Sequence, residues 1–166
     1  MLNSLINKMI LNNHMHFKFE EDFVENNIRC IPMLVRFKLD AVGIKLKLAE
    51  WSRFTKSERN NLMMHPCITS DEAESFKNYL QRLIVLRAGT EPTFIETEQT
   101  PAWSDLGNIH PSLQAKAKEY NWNISISQWR TLTNLQRFAL LKLYRPGHEN
   151  KNFPKAMREF GLAGGL

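Results

Sequence analysis

Hydrophobic and polar positions follow the period of an amphipathic helix along most of this chain. The most regular run begins at Thr69, which is followed three positions later by Glu72 in the pattern of a capping box. Apolar residues then recur at intervals of three and four, and Gly89 ends the run. The pattern predicts one long helix between these limits, the clearest helix in the sequence.

The same signals predict a series of shorter helices. Capping-box patterns also begin at Thr55, Ser125 and Thr133. Proline stands where it suits the first turn of a helix at three further places. The predicted helices cover residues 32–43, 55–64, 111–120, 125–132, 133–144 and 154–160.

Other segments lack a helical period. Phe17 and Phe19 suggest a brief extended lead-in, and residues 44–48 alternate between apolar side chains and lysine before a helical turn begins. Residues 90–109 contain two prolines and no sustained period, which predicts a long loop. Because this loop includes Phe94 and Ile95, as well as Trp103, we expect it to be draped over the protein with these side chains packed.

These elements predict an all-α fold. We expect a compact bundle of six to eight short helices, with the draped loop in the middle, as a single domain over residues 17–162. Residues 1–16 repeat apolar side chains at helical spacing, and we expect them to form a loose N-terminal extension. We expect residues 163–166 to be a loose C-terminus.

The composition is that of a soluble globular protein. The 166 residues are 43% hydrophobic and 23% charged. No apolar run approaches the roughly 20 residues that a bilayer span requires, so no membrane partner is predicted. Two cysteines exclude a disulfide-stapled secreted scaffold and fit a reduced, cytoplasmic setting.

The net charge of +5 is distributed unevenly. Residues 44–68 have five basic and two acidic side chains. Residues 69–110 have three basic and seven acidic side chains, and residues 111–166 have nine basic and three acidic ones. This alternation favours a protein partner or internal charge pairing over a uniform surface for polyanions.

Few residues point to metal or covalent chemistry. Cys30 and Cys67 are too far apart for a paired metal motif, and His65 with Cys67 supplies at most two of the four ligands that a structural zinc needs. We expect Cys30 to be buried. The chain has no glycine-rich phosphate loop and no recognised hydrolase motif, so neither a metal nor a cofactor is predicted.

Two polar segments are candidates for a binding surface. Binding residues are often found on loops between rigid elements, and one such loop joins two predicted helices. It contains Arg145, His148, Glu149, Asn150 and Asn152. The second segment places Arg29, Arg36 and Asp40 among apolar residues, and the last two are four positions apart and can pair on a helix.

These segments also carry a family resemblance. The first stretch comprises Phe-Lys-Phe-Glu-Glu-Asp-Phe (17–23) and Arg-Cys-Ile-Pro-Met-Leu-Val-Arg-Phe-Lys-Leu-Asp (29–40). The second is Leu-Gln-Arg-Phe-Ala-Leu-Leu-Lys-Leu-Tyr-Arg-Pro-Gly-His-Glu-Asn-Lys-Asn-Phe (135–153), and the loop adds Pro-Ala-Trp (101–103). Over residues 17–162 the chain resembles the nitrate reductase-associated protein family.

The resemblance implies a small, non-catalytic cytoplasmic protein that supports the biogenesis or activity of assimilatory nitrate reductase. Its partner would be that reductase or another molybdenum or iron–sulfur enzyme. No catalytic residue can be transferred from the family to this chain. The resemblance instead directs attention to the two polar segments above as the functional surface.

Two alternatives belong to other functional classes. The basic residues 111–166 and the two adjacent helices within 126–143 suggest a nucleic-acid-binding regulator, but Trp129, Leu132 and Leu135 are predicted to use those helix faces as core. A nucleic-acid partner is therefore disfavoured. His148 and Glu149 could also form an acid/base pair in a small enzyme, although the sequence identifies no third residue that would orient them.

Overall fold

A computed structural model describes residues 16–24 and 28–164, apart from the side chain of His148. The predicted N-terminal extension therefore lies almost wholly outside the described residues. The chain divides into two compact units, residues 6–98 and a second that contains residues 99–166. That they form one domain remains a prediction. The described residues are mostly helical, with only one two-stranded sheet, which confirms the predicted fold class.

The first unit contains five α-helices and a short antiparallel sheet within its described part. A 3-10 turn over Lys18–Glu20 comes first, and a π-helical turn over Ile84–Ala88 extends the last helix. The elements are α1 (Glu21–Val24), α2 (Met33–Val42), β1 (Ile44–Lys45), α3 (Leu48–Trp51), α4 (Lys56–Met64), α5 (Ser70–Leu83) and β2 (Thr93–Phe94).

The helix boundaries in this unit follow the predicted signals. Pro32 immediately precedes α2, and Gly43 ends it in the left-handed conformation at φ 70°. The Thr55 hydroxyl accepts a hydrogen bond from the backbone N–H of Glu58 at the start of α4, and Thr69 caps α5 in the same way. The ends of these helices therefore lie where the local sequence signals predict them.

The lead-in and the loop differ from the predictions. Phe17 is extended, as predicted, but the prediction was wrong for Phe19, which lies in the 3-10 turn Lys18–Glu20. The Glu20 carboxylate accepts from the backbone N–H of Phe17 at the start of this turn. Within the loop, β2 pairs with β1 with Ile44 opposite Phe94. The packing expected for Phe94 and Ile95 was also wrong, since these side chains are 57% and 41% exposed.

The second unit contains four α-helices in its described part. They are α6 (Pro111–Lys118), α7 (Ile126–Thr131), α8 (Asn134–Leu143) and α9 (Phe153–Glu159), with 3-10 turns over Ala102–Ser104 and His148–Asn152. Ser125 and Thr133 cap α7 and α8 as predicted. The fully buried Trp129, Leu135 and Phe153 contribute to the core of this unit. No helix in the described ranges is both long and apolar enough to cross a membrane.

Candidate functional site

The first candidate segment lies at the beginning of α2. Arg36 and Asp40 are one turn apart on this helix, with Arg36 partly buried and Asp40 exposed. Arg29 is exposed and precedes the helix, and its backbone N–H donates to the carbonyl of Phe23 at 3.0 Å. This hydrogen bond connects the segment to α1, which contains Phe23.

Glu20 joins the two halves of the first family-like stretch. Its buried carboxylate accepts from the backbone N–H of Met33 at 2.7 Å and from that of Phe17 at 3.1 Å. Burial raises the pKa of Glu20 to about 7, although the two backbone donors and the charges of His16 and Arg36 act in the opposite direction. Glu20 therefore anchors the lead-in at the N-terminus of α2, where a carboxylate also complements the helix dipole.

Lys38 also uses a buried charge to bind backbone groups, here at the end of α4. Its buried ammonium group donates to the carbonyls of Leu62, Met63 and His65 at 3.0, 2.7 and 2.7 Å. These carbonyls belong to the last turn and the C-terminal cap of α4, where a cation compensates the unpaired acceptors. Burial lowers the pKa of Lys38 to about 8.

His65 and Cys67 lie near this ammonium group. The His65 ring stacks on Tyr79 with centroids 5.9 Å apart, and its Nε2 lies 3.1 Å from Ser75 Oγ. Burial lowers the pKa of His65 and raises the pKa of the Cys67 thiol, which disfavours a reactive thiolate. Among the described side chains, which do not include that of His148, no three of His, Cys, Asp or Glu are placed to bind a metal ion. Cys30 is buried, as predicted.

The second candidate segment connects α8 to α9. Asn150 Nδ2 donates to three carbonyls at the C-terminus of α8, at 3.0–3.2 Å. Asn152 is buried, and its Oδ1 has no hydrogen-bond partner within the described structure. Arg145 is exposed and Glu149 is partly buried. The acid/base pairing of His148 with Glu149 stays a prediction, because the His148 side chain lies outside the described part.

A buried arginine ties the loop over residues 101–108 to the helices of the second unit. Arg137 Nε donates to the carbonyl of Trp103 at 2.7 Å, and its other nitrogens contact the carbonyl of Leu132 and the side chain of Asn134. The indole of Trp129 donates to the carbonyl of Asp105 at 2.7 Å. Burial lowers the pKa of Arg137. Arg137 therefore links two parts of the family-like pattern, residues 101–103 and 135–153.

Sequence reasoning missed the polar groups that organise these segments. Glu20, Lys38 and Arg137 are buried and bind backbone groups, whereas several of the predicted residues are exposed. One signal for Lys38 is visible in the sequence, because it lies four positions after Leu34 and four before Val42 on the apolar face of α2. A charged residue on such a face needs buried partners.

No curated protein and no solved structure matches this chain. A protein-family model matches residues 16–160, a range that includes both polar segments and the loop between them. The chain belongs to the conserved nitrate reductase-associated protein family.

Proposed function

We propose that this protein is a non-catalytic cytoplasmic accessory factor that binds assimilatory nitrate reductase and supports its biogenesis or activity. The observation that carries the proposal is the family match over residues 16–160, since the family is described as nitrate reductase-associated. The partner could also be another enzyme with a molybdenum or iron–sulfur centre. Binding between proteins is the mode of action.

The net positive charge of the chain lies in residues 99–166. Residues 6–98 contain thirteen basic and thirteen acidic side chains, whereas residues 99–166 contain nine and four. The whole excess of +5 therefore belongs to one unit, while the other is neutral. Complementary charge on a partner increases the rate and specificity of association.

A nucleic-acid-binding role is less well supported. Trp129, Leu135 and Phe138 are buried, so these positions on α7 and α8 are not available as a recognition face. Phosphate binding requires basic side chains along an exposed surface and decreases steeply with salt. A gel shift at low salt should show no retarded species.

The proposal is tested in a nitrate-assimilating strain from which the gene has been deleted. We expect reduced nitrate reductase activity, restored by the wild-type gene, and co-purification of the two proteins from the complemented strain. Adding purified protein to an extract of the deletion strain separates the two roles, because immediate recovery indicates support of activity and no recovery indicates biogenesis. Normal activity after deletion, with no association, would refute the proposal.

A further inference from the structure

The segment over residues 90–98, here called the acidic strap, is held in place on the first unit. Thr90 Oγ1 donates to Glu50 Oε1 at 2.9 Å, and the backbone N–H of Ile95 donates to the carbonyl of Gly43 at 2.9 Å. The Lys77 ammonium lies 5.3 Å from the centre of the Phe94 ring. The strap is therefore anchored to three different elements, and its exposed side chains have defined positions.

The strap displays large apolar side chains to solvent. All ten phenylalanines of the chain are described, and Phe94 is the only one in the exposed class. Ile95 follows it at 41% exposed, and Leu86 on the π-helical turn that leads to the strap is 69% exposed. Exposed apolar side chains on a fixed backbone are typical of protein-binding surfaces, since little conformational entropy is lost when they are covered.

The charged residues of the strap itself are all acidic, although the Lys77 ammonium lies against Phe94 and Lys45 is opposite Thr93 in the sheet. The strap contains Glu91, Glu96 and Glu98 and no lysine or arginine. All three carboxylates are exposed, and none has an ion pair with another described residue. Arg87, just before the strap, is already paired with Glu58 at 2.7 Å.

We infer that the acidic strap is a docking surface for a protein segment that presents lysine or arginine beside large apolar side chains. This inference rests on the proposed function, in which the reductase supplies that segment. Phosphate groups of nucleic acids or anionic lipids would be repelled by the three carboxylates. A symmetric contact between two copies would place the same carboxylates against each other, which disfavours a second copy as the occupant.

The first arm of the test uses a probe that does not depend on the reductase. The full-length, isotope-labelled protein is titrated with a short peptide rich in Lys, Leu and Phe and followed by amide chemical shifts. We expect saturable shifts concentrated at residues 85–98. The Phe94→Ser variant should bind about tenfold more weakly, the change expected when one buried aromatic contact is lost. Glu96→Lys combined with Glu98→Lys should weaken binding and remove most of its salt dependence.

Matched controls isolate the surface. Leu106→Ser changes a similarly exposed apolar residue (44%) outside the strap, and Glu74→Lys reverses an exposed charge on α5. Both should bind the peptide like the wild type, and all variants should keep the wild-type circular dichroism. Absence of saturable binding, shifts located elsewhere, or equal binding by Phe94→Ser would overturn the inference. A wild-type dimer that dissociates in Phe94→Ser would also overturn it, since a second copy would then occupy the strap.

The second arm repeats the co-purification with the reductase. If the wild type and Leu106→Ser bind the reductase and Phe94→Ser does not, the surface and the function are both supported. If Phe94→Ser also binds the reductase, the inferred docking surface is wrong and the proposed function stands. If no form binds the reductase while the peptide still binds at the strap, the proposed function fails and the chemistry of the surface stands.

Discussion

The Glu20→Gln substitution replaces a buried group whose charge depends on pH with an amide that stays neutral. In the wild type the carboxylate accepts from the N–H groups of Met33 and Phe17. Because burial raises the pKa of Glu20 to about 7 from its usual 4.5, the folded protein holds this proton more tightly than the unfolded chain. The stabilisation is therefore complete below pH 4.5 and is lost as the pH rises through about 7.

The size of the effect follows from the shift. Each pKa unit corresponds to about 1.4 kcal/mol, so a rise from 4.5 to about 7 corresponds to about 3 kcal/mol of unfolding free energy. The amide also brings an N–H group towards one of the two backbone donors, which costs about 1 kcal/mol at every pH. The variant is thus about 1 kcal/mol less stable than the wild type at acidic pH, and the sign of the difference reverses above pH 7.

Urea unfolding of both proteins at a series of pH values, followed by circular dichroism, measures this directly. Titrating groups that do not interact with Glu20 are common to the two proteins, and their contributions cancel when the unfolding free energies are subtracted. We expect the difference between wild type and Glu20→Gln to change by about 3 kcal/mol from pH 4.5 to above pH 7. A difference that is constant over this range would refute the assigned role of the carboxyl group.

Three further substitutions test the anchors of the fold. Gly43→Ala should destabilise the first unit by about 2 kcal/mol, because Gly43 has a left-handed φ and an added Cβ would lie 2.7 Å from the carbonyl oxygen of Ile95. Gly89 also has a left-handed φ, but no atom lies within 4 Å of an added Cβ, so Gly89→Ala should lower the thermal unfolding temperature less. Arg137→Met should lower the unfolding free energy in urea by at least about 2 kcal/mol, because several carbonyls lose their hydrogen-bond donor. Arg130→Met removes one exposed hydrogen bond and should change the unfolding free energy little. Asn150→Ala should lower the unfolding free energy by about 1 kcal/mol and speed amide exchange at the end of α8, and unchanged exchange there would contradict its capping role.

The helices could be predicted from the sequence because their signals are local. Thr55, Thr69, Ser125 and Thr133 form capping boxes at the positions expected, and Gly43 ends its helix in the left-handed conformation. Each of these signals depends on residues within one turn of the helix end. The backbone geometry at that end is therefore nearly independent of tertiary structure.

The candidate site was less predictable because its interactions join distant residues. Glu20 binds a backbone group thirteen positions away, and Arg137 binds the carbonyl of Trp103 thirty-four positions away. Burial of these groups depends on the tertiary fold, which a local pattern does not specify. Phe94 shows the converse case, since an apolar side chain in an irregular loop was expected to pack and is instead exposed.

Association with assimilatory nitrate reductase is the central claim, and sedimentation velocity of the two purified proteins tests it most directly. We expect a faster-sedimenting species that contains both proteins, present for the wild type and for Leu106→Ser. Two boundaries that sediment independently at every mixing ratio, with active and fully assembled reductase, would contradict the account.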